Sequence, residues 1–560
     1  MSVGRGHSRG RSLLAAALVV GSGAGAAVVA DEAADRLAEL VAATSDVKIE
    51  TRSAEEYRSA AKSYRDLLLR LTSIDRQELG PAEATDAELL AAHLTARLYE
   101  IETLELHRLV PVRYFALSTT DGLFLRPCGA PDKKVGEAIE ELERLPTILA
   151  NAEKNLRRPA REWTLNAIYQ AYYAKLLLTD YVPEACVRDA ELKAKLVAAA
   201  EGALAAVGRY ESWMQDVLLP RSDRSPAWKP SEIELYQFTH EQLHDYDVEE
   251  MLRIAGEEER ALTAEMVELA SRIHPSGDLT TVWELMKDEA PPWGEVLRMA
   301  QRYVELATDW LEGPGAHVVA IPDFDYRAVL TTPMARRTLS FGGAEYGPTV
   351  ADRISGYYVL TPLEERLSDE EKASRIRSYN PYWTHVISYH EWLGHNVQRA
   401  YVATDRPMRK LFRSSYLSQA WSFYLEKLLE DEGYFEAALP HMEALKTKMA
   451  RLQMRMWRVQ RILTKLRMAT GEMTFDEAVQ AYIEKIGMEP TNAYIEVQRD
   501  SQSPSPPGRE IIGERVILEM RDEYRRRMGD HYSLKEFHRR LLSYGELPLP
   551  VIARLMFGES

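Results

Sequence analysis

The sequence predicts a mainly α-helical protein, a large helical body around a deep cleft with a few short β-strands near its candidate site. Two observations predict this class. Beyond residue 31, apolar residues recur at three- and four-residue steps with few β-branched runs, as in "AADRLAELVAATSD" and "DAELLAAHLTARLYEIETLELHRL". Apolar residues form 46% and charged residues 28% of the 560 residues, which is typical of a folded globular chain.

The N-terminus is typical of a secretory signal peptide over residues 1–30. Basic residues precede the apolar "SLLAAALVV", and small residues then lead to a Val28-x-Ala30 cleavage step. A short buried helix or a membrane anchor is the alternative. We expect an exported protein, periplasmic or extracellular, with association with the cell envelope as an option. Export would allow Cys128 and Cys186 to form a disulfide, and two free thiols are the alternative.

The net charge and the hydropathy exclude some classes of binding partner and a membrane-spanning segment. The formal net charge is −16 and no basic domain compensates it, which argues against a nucleic-acid partner because that affinity depends on Lys and Arg. Beyond the N-terminus, no stretch reaches the roughly 18 to 20 uninterrupted apolar residues of a transmembrane helix, so the mature chain is expected to lack one. The sequence leaves the oligomeric state open.

A polar, proline-containing stretch at 220–232, "PRSDRSPAWKPSE", is the best boundary within the chain. It separates an N-terminal helical region, 31–225, from a second helical region, 226–560. The segment from about 315 to 362 interrupts the helical pattern and contains short β-like pieces, among them "SGYYVL".

Two histidine motifs compete as metal sites. "HEQLH", with His240, Glu241 and His244, has the i, i+4 spacing that places two imidazoles about 40° apart around a helix, within reach of one ion. Acidic residues follow at once, and no second helix with an inward carboxylate is obviously paired with it. We therefore favour a solvated helix face or a cleft wall for this motif.

The second motif, "HEWLGH", contains His390, Glu391 and His395 at i, i+5 spacing, about 140° apart on a regular helix. A π-bulge can absorb the extra residue, and Gly394 lies where the backbone adjusts most easily. A core histidine pair at a helix crossing is the alternative.

The helix that follows, "SSYLSQAWSFYLEKLLEDEGYF", could supply a third metal ligand. Gln419 and Glu426 are seven residues apart and share one of its faces, with Glu430 nearby.

From about residue 226 to the end, the chain resembles the bacterial DUF885 family of unknown function, whose members are similar to zinc peptidases of the gluzincin type. The matching pieces are "YNPYWTHVISYHEWLGHNVQ", "QAWSFYLEKLLEDEGYF", "YIEVQRD", "SGYYVL" and "IIGERVILEMRDEYRRRMGDHYSLKEFHRRLLSYGELPLPVIARL". The spacing of the motif is also similar to that of dipeptidyl peptidase III. The resemblance implies that His390 and His395 bind one Zn²⁺ ion and that Glu391 is the general base.

The chain departs from the family pattern at three places. It lacks the proline that usually precedes the glycine of the motif. Gln419 stands where the family has a carboxylate, so the third ligand would be Gln419 itself or, as compensation, Glu426. The family's segment with a Tyr-Lys pair reads Pro504-Ser505-Pro506 and then Glu510-Ile511 here, so a tyrosine for the oxyanion is missing from its place.

Tyr389, Tyr494 or His538 could replace that tyrosine. Aromatic residues near the motif, including Tyr358, could line a substrate pocket, with a core role as the alternative. Arg499 could pair with a substrate carboxylate or, equally, with Glu496.

These residues predict a zinc-dependent hydrolase of peptide or amide bonds in which Glu391 activates a water, acting on a small peptide or amide. The alternative is a catalytically inactive member of the family that binds peptides or small molecules. A different reaction in the same cleft is a third possibility that the sequence does not separate from the first.

Overall fold

The computed structural model describes residues 23–125, 131–237, 246–322, 325–346, 355–401, 406–412, 414–505 and 507–558. Over these residues the protein is mainly α-helical with three short strands, which confirms the predicted class. The helices of the first part are α1 (Gly23–Ser45), α2 (Ala54–Thr72), α3 (Pro81–Leu98), α4 (Leu106–Leu109), α5 (Ser118–Gly122), α6 (Asp132–Asn155), α7 (Arg161–Leu176) and α8 (Ala190–Trp213).

The remaining helices surround a small sheet. They are α9 (Pro230–Tyr236), α10 (Val248–Ile273), α11 (Leu279–Asp288), α12 (Trp293–Glu312), α13 (Asp369–Arg377), α14 (Pro381–Tyr389), α15 (Val397–Ala400), α16 (Pro407–Leu411), α17 (Tyr416–Asp431), α18 (Tyr434–Ala438), α19 (His441–Thr470), α20 (Phe475–Ile486), α21 (Pro490–Gln502), α22 (Arg509–Met528), α23 (Leu534–Ser543) and α24 (Leu549–Phe557).

The sheet has the strand order β1-β3-β2, with β1 at Asp325–Leu330, β2 at Gly342–Tyr346 and β3 at Ser355–Leu360. β3 is the predicted "SGYYVL" strand. It runs parallel to β1, with Arg327 opposite Tyr357, and antiparallel to β2. Within the described part of the sheet β2 is therefore an edge strand, and both β2 and β3 pack against the segment that contains the "HEWLGH" motif.

Two hydrophobic cores organise the described residues, and they divide the chain differently from the boundary at 220–232. The smaller core is formed by residues between Tyr114 and Leu218, mainly from α6, α7 and α8. The larger core contains nearly everything after Trp228 and also residues from Ala33 to Val110, so α1, α2 and α3 pack with the second region. The polar stretch at 220–232 lies where the chain passes from the smaller core to the larger one. It gives no indication that α1, α2 and α3 also belong to the larger core.

Several predictions fall on residues outside the described ranges. The "HEQLH" motif lies in 238–245 and Cys128 lies in 126–130, so neither the role of the motif nor the cysteine pairing is described. Residues 1–22 of the predicted signal peptide also lie outside, and α1 begins at Gly23, within the predicted segment. None of the described helices is both long enough and apolar enough to cross a bilayer.

Candidate metal centre

The "HEWLGH" motif forms a π-helical turn. Helix α14 begins at Pro381, after Asn380 accepts a hydrogen bond from the backbone N–H of Trp383, and continues directly into a π-helix at His390–Asn396. A π-helix is bonded from i to i+5, so residues five apart lie on the same face. The rings of His390 and His395 accordingly face each other with centroids 5.1 Å apart. The predicted π-bulge is confirmed.

Gly394 lies where the π-helical turn approaches α17 most closely. A Cβ atom placed on Gly394 would lie 2.5 Å from Cβ and 2.8 Å from Cα of Ser422, distances that real Cβ atoms do not show. The indole N–H of Trp421 also donates to the backbone carbonyl of Leu393 across the same contact, at 3.2 Å. The glycine therefore serves the packing of two helices as well as the change in helical pitch.

A stripe of residues four apart on α17 holds the π-helical turn in place. Ser418 Oγ lies 2.7 Å from Nδ1 of His395, and Glu426 Oε1 lies 2.7 Å from Nδ1 of His390. Ser422 lies between them, against the turn. With the Nδ1 atoms occupied by these partners, the Nε2 atoms are the free ligand atoms of the two imidazoles, an arrangement found around metal-binding histidines.

Both imidazoles are held in the neutral form that binds metal ions. Burial lowers the pKa of His390 well below its ordinary value, and Arg458 acts in the same direction. Burial also lowers the pKa of His395, with a further contribution from His390. A neutral imidazole has a free lone pair for a cation.

Glu391 completes the cluster. Its Oε2 lies 3.8 Å from Nε2 of His395, and its carboxylate accepts a hydrogen bond from the backbone N–H of Ala344 in β2. Burial raises the pKa of Glu391 to about 7, opposed by Arg458. Such a value suits a group that takes up and releases a proton near neutral pH. Ligand atoms of His390, Glu391 and His395 all lie within 4.8 Å of one another, and in the described part of the chain they are the group of this kind that could hold a metal ion.

The two residues predicted as a third ligand have different positions. Glu426 is buried and bonded to His390 and is not part of the close cluster, so the structure makes it an orienting partner of that imidazole. Burial raises its pKa to about 7. Gln419 is half-buried and lines the same cavity as the two histidines. Among the described residues, Glu391 supplies the one carboxylate that lies with the two histidines in this cluster.

A cavity of about 770 Å³ borders the cluster. Its walls include the segment from Leu339 to Ala344, which contains part of edge strand β2, together with residues of α17, α19 and α21. Its polar lining side chains include Gln419, Arg458, Arg461, Lys465 and Arg499.

Among the predicted substrate-binding residues, Arg499 lines this cavity. Its guanidinium also forms an ion pair with Glu496 at 2.6 Å and donates to the carbonyl of Thr338, so the structural ion pair predicted as the alternative is present. Tyr494 is not among the lining residues. Its ring packs on Phe475.

The other predicted residues are packed in the core. Tyr389 is fully buried among aromatic rings, and His538 is fixed between the carbonyl of Val318 at 2.8 Å and the hydroxyl of Tyr424 at 3.1 Å. Tyr358 is buried in β3 close to Glu391, which raises its pKa together with burial. None of the three is a lining residue of the cavity.

Sequence reasoning missed Ser418, Ser422, Arg458 and Lys465. Ser418 and Ser422 are small residues four positions apart, a pattern that allows two helices to approach closely. Together with Gly394, this spacing indicates a helix contact in the sequence. Arg458 and Lys465 gave no such indication. Two basic residues seven positions apart on an amphipathic helix usually belong to its solvated face.

These features define a class of mainly helical proteins in which a small sheet and a π-helical turn hold two histidines and a glutamate over a polar cavity. The chain belongs to the family described as "Bacterial protein of unknown function (DUF885)", whose model matches residues 36–556. This match confirms the resemblance and extends it over the N-terminal region.

Two solved structures are similar to the whole chain. A candidate lipoprotein of unknown function from Shewanella oneidensis has a TM-score of 0.69 and 18% identity, covering 95% of this chain and 99% of its own. A candidate lipoprotein from Colwellia psychrerythraea has a TM-score of 0.68 and 15% identity, covering 96% of this chain and 98% of its own. At these identities the likeness shows a shared fold. Curated protein sequences give no significant match.

Proposed function

We propose that the protein is a zinc-dependent hydrolase of peptide or amide bonds. The observation that carries the proposal is the π-helical turn, which brings His390 and His395 together beside Glu391 while Glu426 and Ser418 occupy their Nδ1 atoms. Two neutral imidazoles with hydrogen-bonded second nitrogens are a donor set that fits zinc. His390 and His395 would hold the ion, with Gln419 as the third protein ligand.

The residues of the chain divide the remaining work. Zinc, when bound, polarises a carbonyl group and lowers the pKa of water. Glu391 takes a proton from the attacking water and delivers it to the leaving nitrogen, for which a pKa of about 7 is suitable. The backbone N–H of Ala344 fixes the orientation of this carboxylate.

Edge strand β2 favours a peptide as the substrate. It borders the cavity next to Glu391, and among the described residues its one strand partner is β3. An extended peptide can bind to such an edge through main-chain hydrogen bonds, which would align a peptide bond with the cluster.

Zinc content and a conservative variant test the proposal. We expect about one zinc per purified chain, bound by the two histidines. Glu391→Gln should abolish hydrolysis of short peptides while zinc content and melting temperature stay unchanged. Asp431→Asn is the matched control on α17, because Asp431 forms an exposed ion pair with Lys427 away from the cavity. A chain without zinc, or full activity in Glu391→Gln, would contradict the proposal.

A second candidate is a catalytically inactive protein that binds peptides or small molecules in the same cavity. Gln419 favours it, because a neutral amide oxygen is a weaker zinc ligand than the carboxylate of the family. In that case peptides would bind equally well before and after treatment with a chelator, and the chelator would leave the melting temperature unchanged.

We propose further that the protein is exported and associated with the cell envelope. The two similar structures are described as candidate lipoproteins, and the N-terminal sequence is typical of a signal peptide. Cell fractionation tests this, with recovery in the cytoplasmic fraction as the contradicting result.

A further inference from the structure

One wall of the cavity is formed by three basic residues on a single face of α19. Arg458, Arg461 and Lys465 follow one another at steps of three and four residues and all line the cavity. The rise of an α-helix places Lys465 about 10 Å further along the wall than Arg458. The three cations differ in how completely the protein satisfies them.

Arg461 and Lys465 are saturated by the protein itself. The guanidinium of Arg461 is paired with three carboxylates, at 2.8 to 3.3 Å; these belong to Glu496, Asp500 and Glu510. The ammonium group of Lys465 donates to three backbone carbonyls at 2.7 to 3.1 Å. These two residues therefore hold the cavity wall together and leave little capacity for a ligand.

Arg458 is different. It keeps only 7% of its surface exposed, yet its nearest carboxylate in the described chain is Glu426, at 3.7 Å. That same carboxylate oxygen is bonded to His390 at 2.7 Å. One terminal nitrogen of Arg458 donates to the carbonyl of Met454 at 3.3 Å, and Nε has no hydrogen-bond partner among the described residues.

A buried guanidinium with so few hydrogen-bond and charge partners is stabilised by binding an anion. Removing a charged group from water costs several kcal/mol unless a counter-charge and hydrogen bonds replace the water. The carbonyl and the sulfur of Met454, the ring of Trp457 at 4.8 Å from the guanidinium carbon, and a shared carboxylate at 3.7 Å supply only part of this. A carboxylate is the matching ligand, because its two oxygens accept parallel hydrogen bonds from the planar guanidinium.

The position of Arg458 gives the ligand a place in the reaction. Arg458 lies on the same cavity as His390 and Glu391 and is separated from His390 by the single carboxylate of Glu426. A group bound to Arg458 is therefore close to the bond that a water activated by Glu391 would attack.

We propose that Arg458 binds a carboxylate of the substrate, so that the protein acts on short peptides with a free C-terminal carboxylate near the scissile bond. This inference rests on the proposed hydrolase function for its reaction. Its binding step does not depend on turnover.

Matched peptide pairs test the specificity directly. N-acetylated di- and tripeptides with a free C-terminal carboxylate are compared with the same peptides as C-terminal amides. In the unmodified protein we expect kcat/KM to be about 30-fold or more higher for the acids, the size typical of a buried charge contact. Equal values for acid and amide would overturn the proposal.

Variants then assign the preference to Arg458. Arg458→Gln should lower kcat/KM far more for the acids than for the amides, so that the acid preference disappears, whereas a residue that only stabilises the transition state would affect both equally. An equal loss for both would therefore overturn the proposal. Arg467→Gln, which removes a charge from the same helix away from the cavity, is the matched control. If Arg458→Gln does not fold, Arg458→Lys should reduce the acid preference without abolishing it, and an unchanged preference would overturn the proposal.

Binding to the Glu391→Gln protein separates the two proposals. Calorimetry with the acid and amide peptides should show tighter binding of the acid, and Arg458→Gln in this background should remove the difference at equal zinc content. If no peptide is hydrolysed but the acid still binds preferentially through Arg458, the hydrolase function fails and this inference stands. If peptides are hydrolysed but the binding difference is absent or unaffected by the variant, this inference fails alone.

Discussion

Glu426 Oε1 lies 2.7 Å from Nδ1 of His390, and both side chains are buried. Because the carboxylate accepts the Nδ1 proton, it fixes the tautomer and the ring orientation that leave Nε2 free for a metal ion. We expect Glu426→Ala to raise the zinc dissociation constant about 10- to 100-fold, the range typical of such orienting partners. Competition with a chromogenic chelator measures this constant.

The same measurement separates an orienting role from direct ligation. Glu426→Gln keeps an oxygen acceptor and should weaken zinc binding less than Glu426→Ala does. Loss of all bound zinc in both variants would instead make Glu426 a ligand, as one of the sequence-based predictions has it. Asp431→Asn, at the end of α17 in an exposed ion pair with Lys427, is the control and should leave the constant unchanged.

The π-helical turn could be predicted from the sequence because it depends only on residues that are neighbours in the chain. Two histidines at i and i+5 can face one ion only if the helix widens to a π-helix. A glycine at i+4 permits that change of the backbone. The strand "SGYYVL" was likewise readable from its aromatic and β-branched residues.

The roles of Glu426 and Arg458 were out of reach because they depend on which helices meet. A carboxylate seven residues from Gln419 can reach an ion or an imidazole, and only the approach of α17 to the turn decides between them. The return of α1, α2 and α3 to the larger core was hidden for the same reason. Its ion pairs, such as Asp86 with Arg406 at 2.5 Å, join residues far apart in sequence.

Gly394→Ala should destabilise the protein. Its new methyl group would lie 2.5 Å from Cβ of Ser422, so the turn and α17 must separate, which typically costs about 1 to 3 kcal/mol. Urea unfolding measures the free energy, and zinc binding should weaken in parallel.

Two further variants control this prediction. Ser422→Gly removes the side-chain contacts but leaves the Cα of residue 422 at 2.8 Å from the new methyl group, so the double variant should recover only part of the cost of Gly394→Ala. Gly202→Ala is the matched control: Gly202 lies inside α8 with no heavy atom within 4 Å of the added Cβ, so stability should rise by up to about 1 kcal/mol. Additive effects of Gly394→Ala and Ser422→Gly would contradict the packing argument.

Lys465→Met should loosen the segment that follows α21. The ammonium group donates to the carbonyls of Asp500, Ser503 and Ser505 at 3.1, 2.7 and 2.7 Å, and the variant leaves all three without this donor. Each hydrogen bond to a charged group contributes about 1.5 to 3 kcal/mol, so a loss of roughly 3 kcal/mol or more is expected.

Hydrogen exchange locates the effect of Lys465→Met. Amides at 500–505 should exchange faster, whereas Lys427→Met, which removes an exposed ion pair with Asp431, should change neither exchange nor stability by more than about 0.5 kcal/mol. Unchanged protection at 500–505 would show that these carbonyls do not depend on Lys465.

Because of Asp121, the free energy of unfolding should fall as the pH rises from about 4 to about 6. It lies in α5 beside the smaller core, receives the hydroxyl hydrogen bond of Thr332, and accepts the N–H of Met334 at 3.0 Å. Burial raises its pKa from 3.8 to about 6. Between these values the folded protein holds a proton that the unfolded chain has lost, so this carboxyl stabilises the fold less as the pH rises.

Asp121→Asn isolates this contribution, because asparagine has no proton to lose and all other groups cancel in the comparison. A pKa change from 3.8 to about 6 corresponds to about 3 kcal/mol, so the unfolding free energy of the variant minus that of the parent should rise by up to that amount from pH 4 to pH 7. Asp278→Asn is the control of opposite sign: the backbone N–H of Thr281 lowers the pKa of Asp278 below 3.8, so the same difference, followed below about pH 5, should fall as the pH rises. A flat difference for Asp121→Asn from about pH 4 to pH 7 would show that Asp121 titrates alike in the folded and unfolded chain.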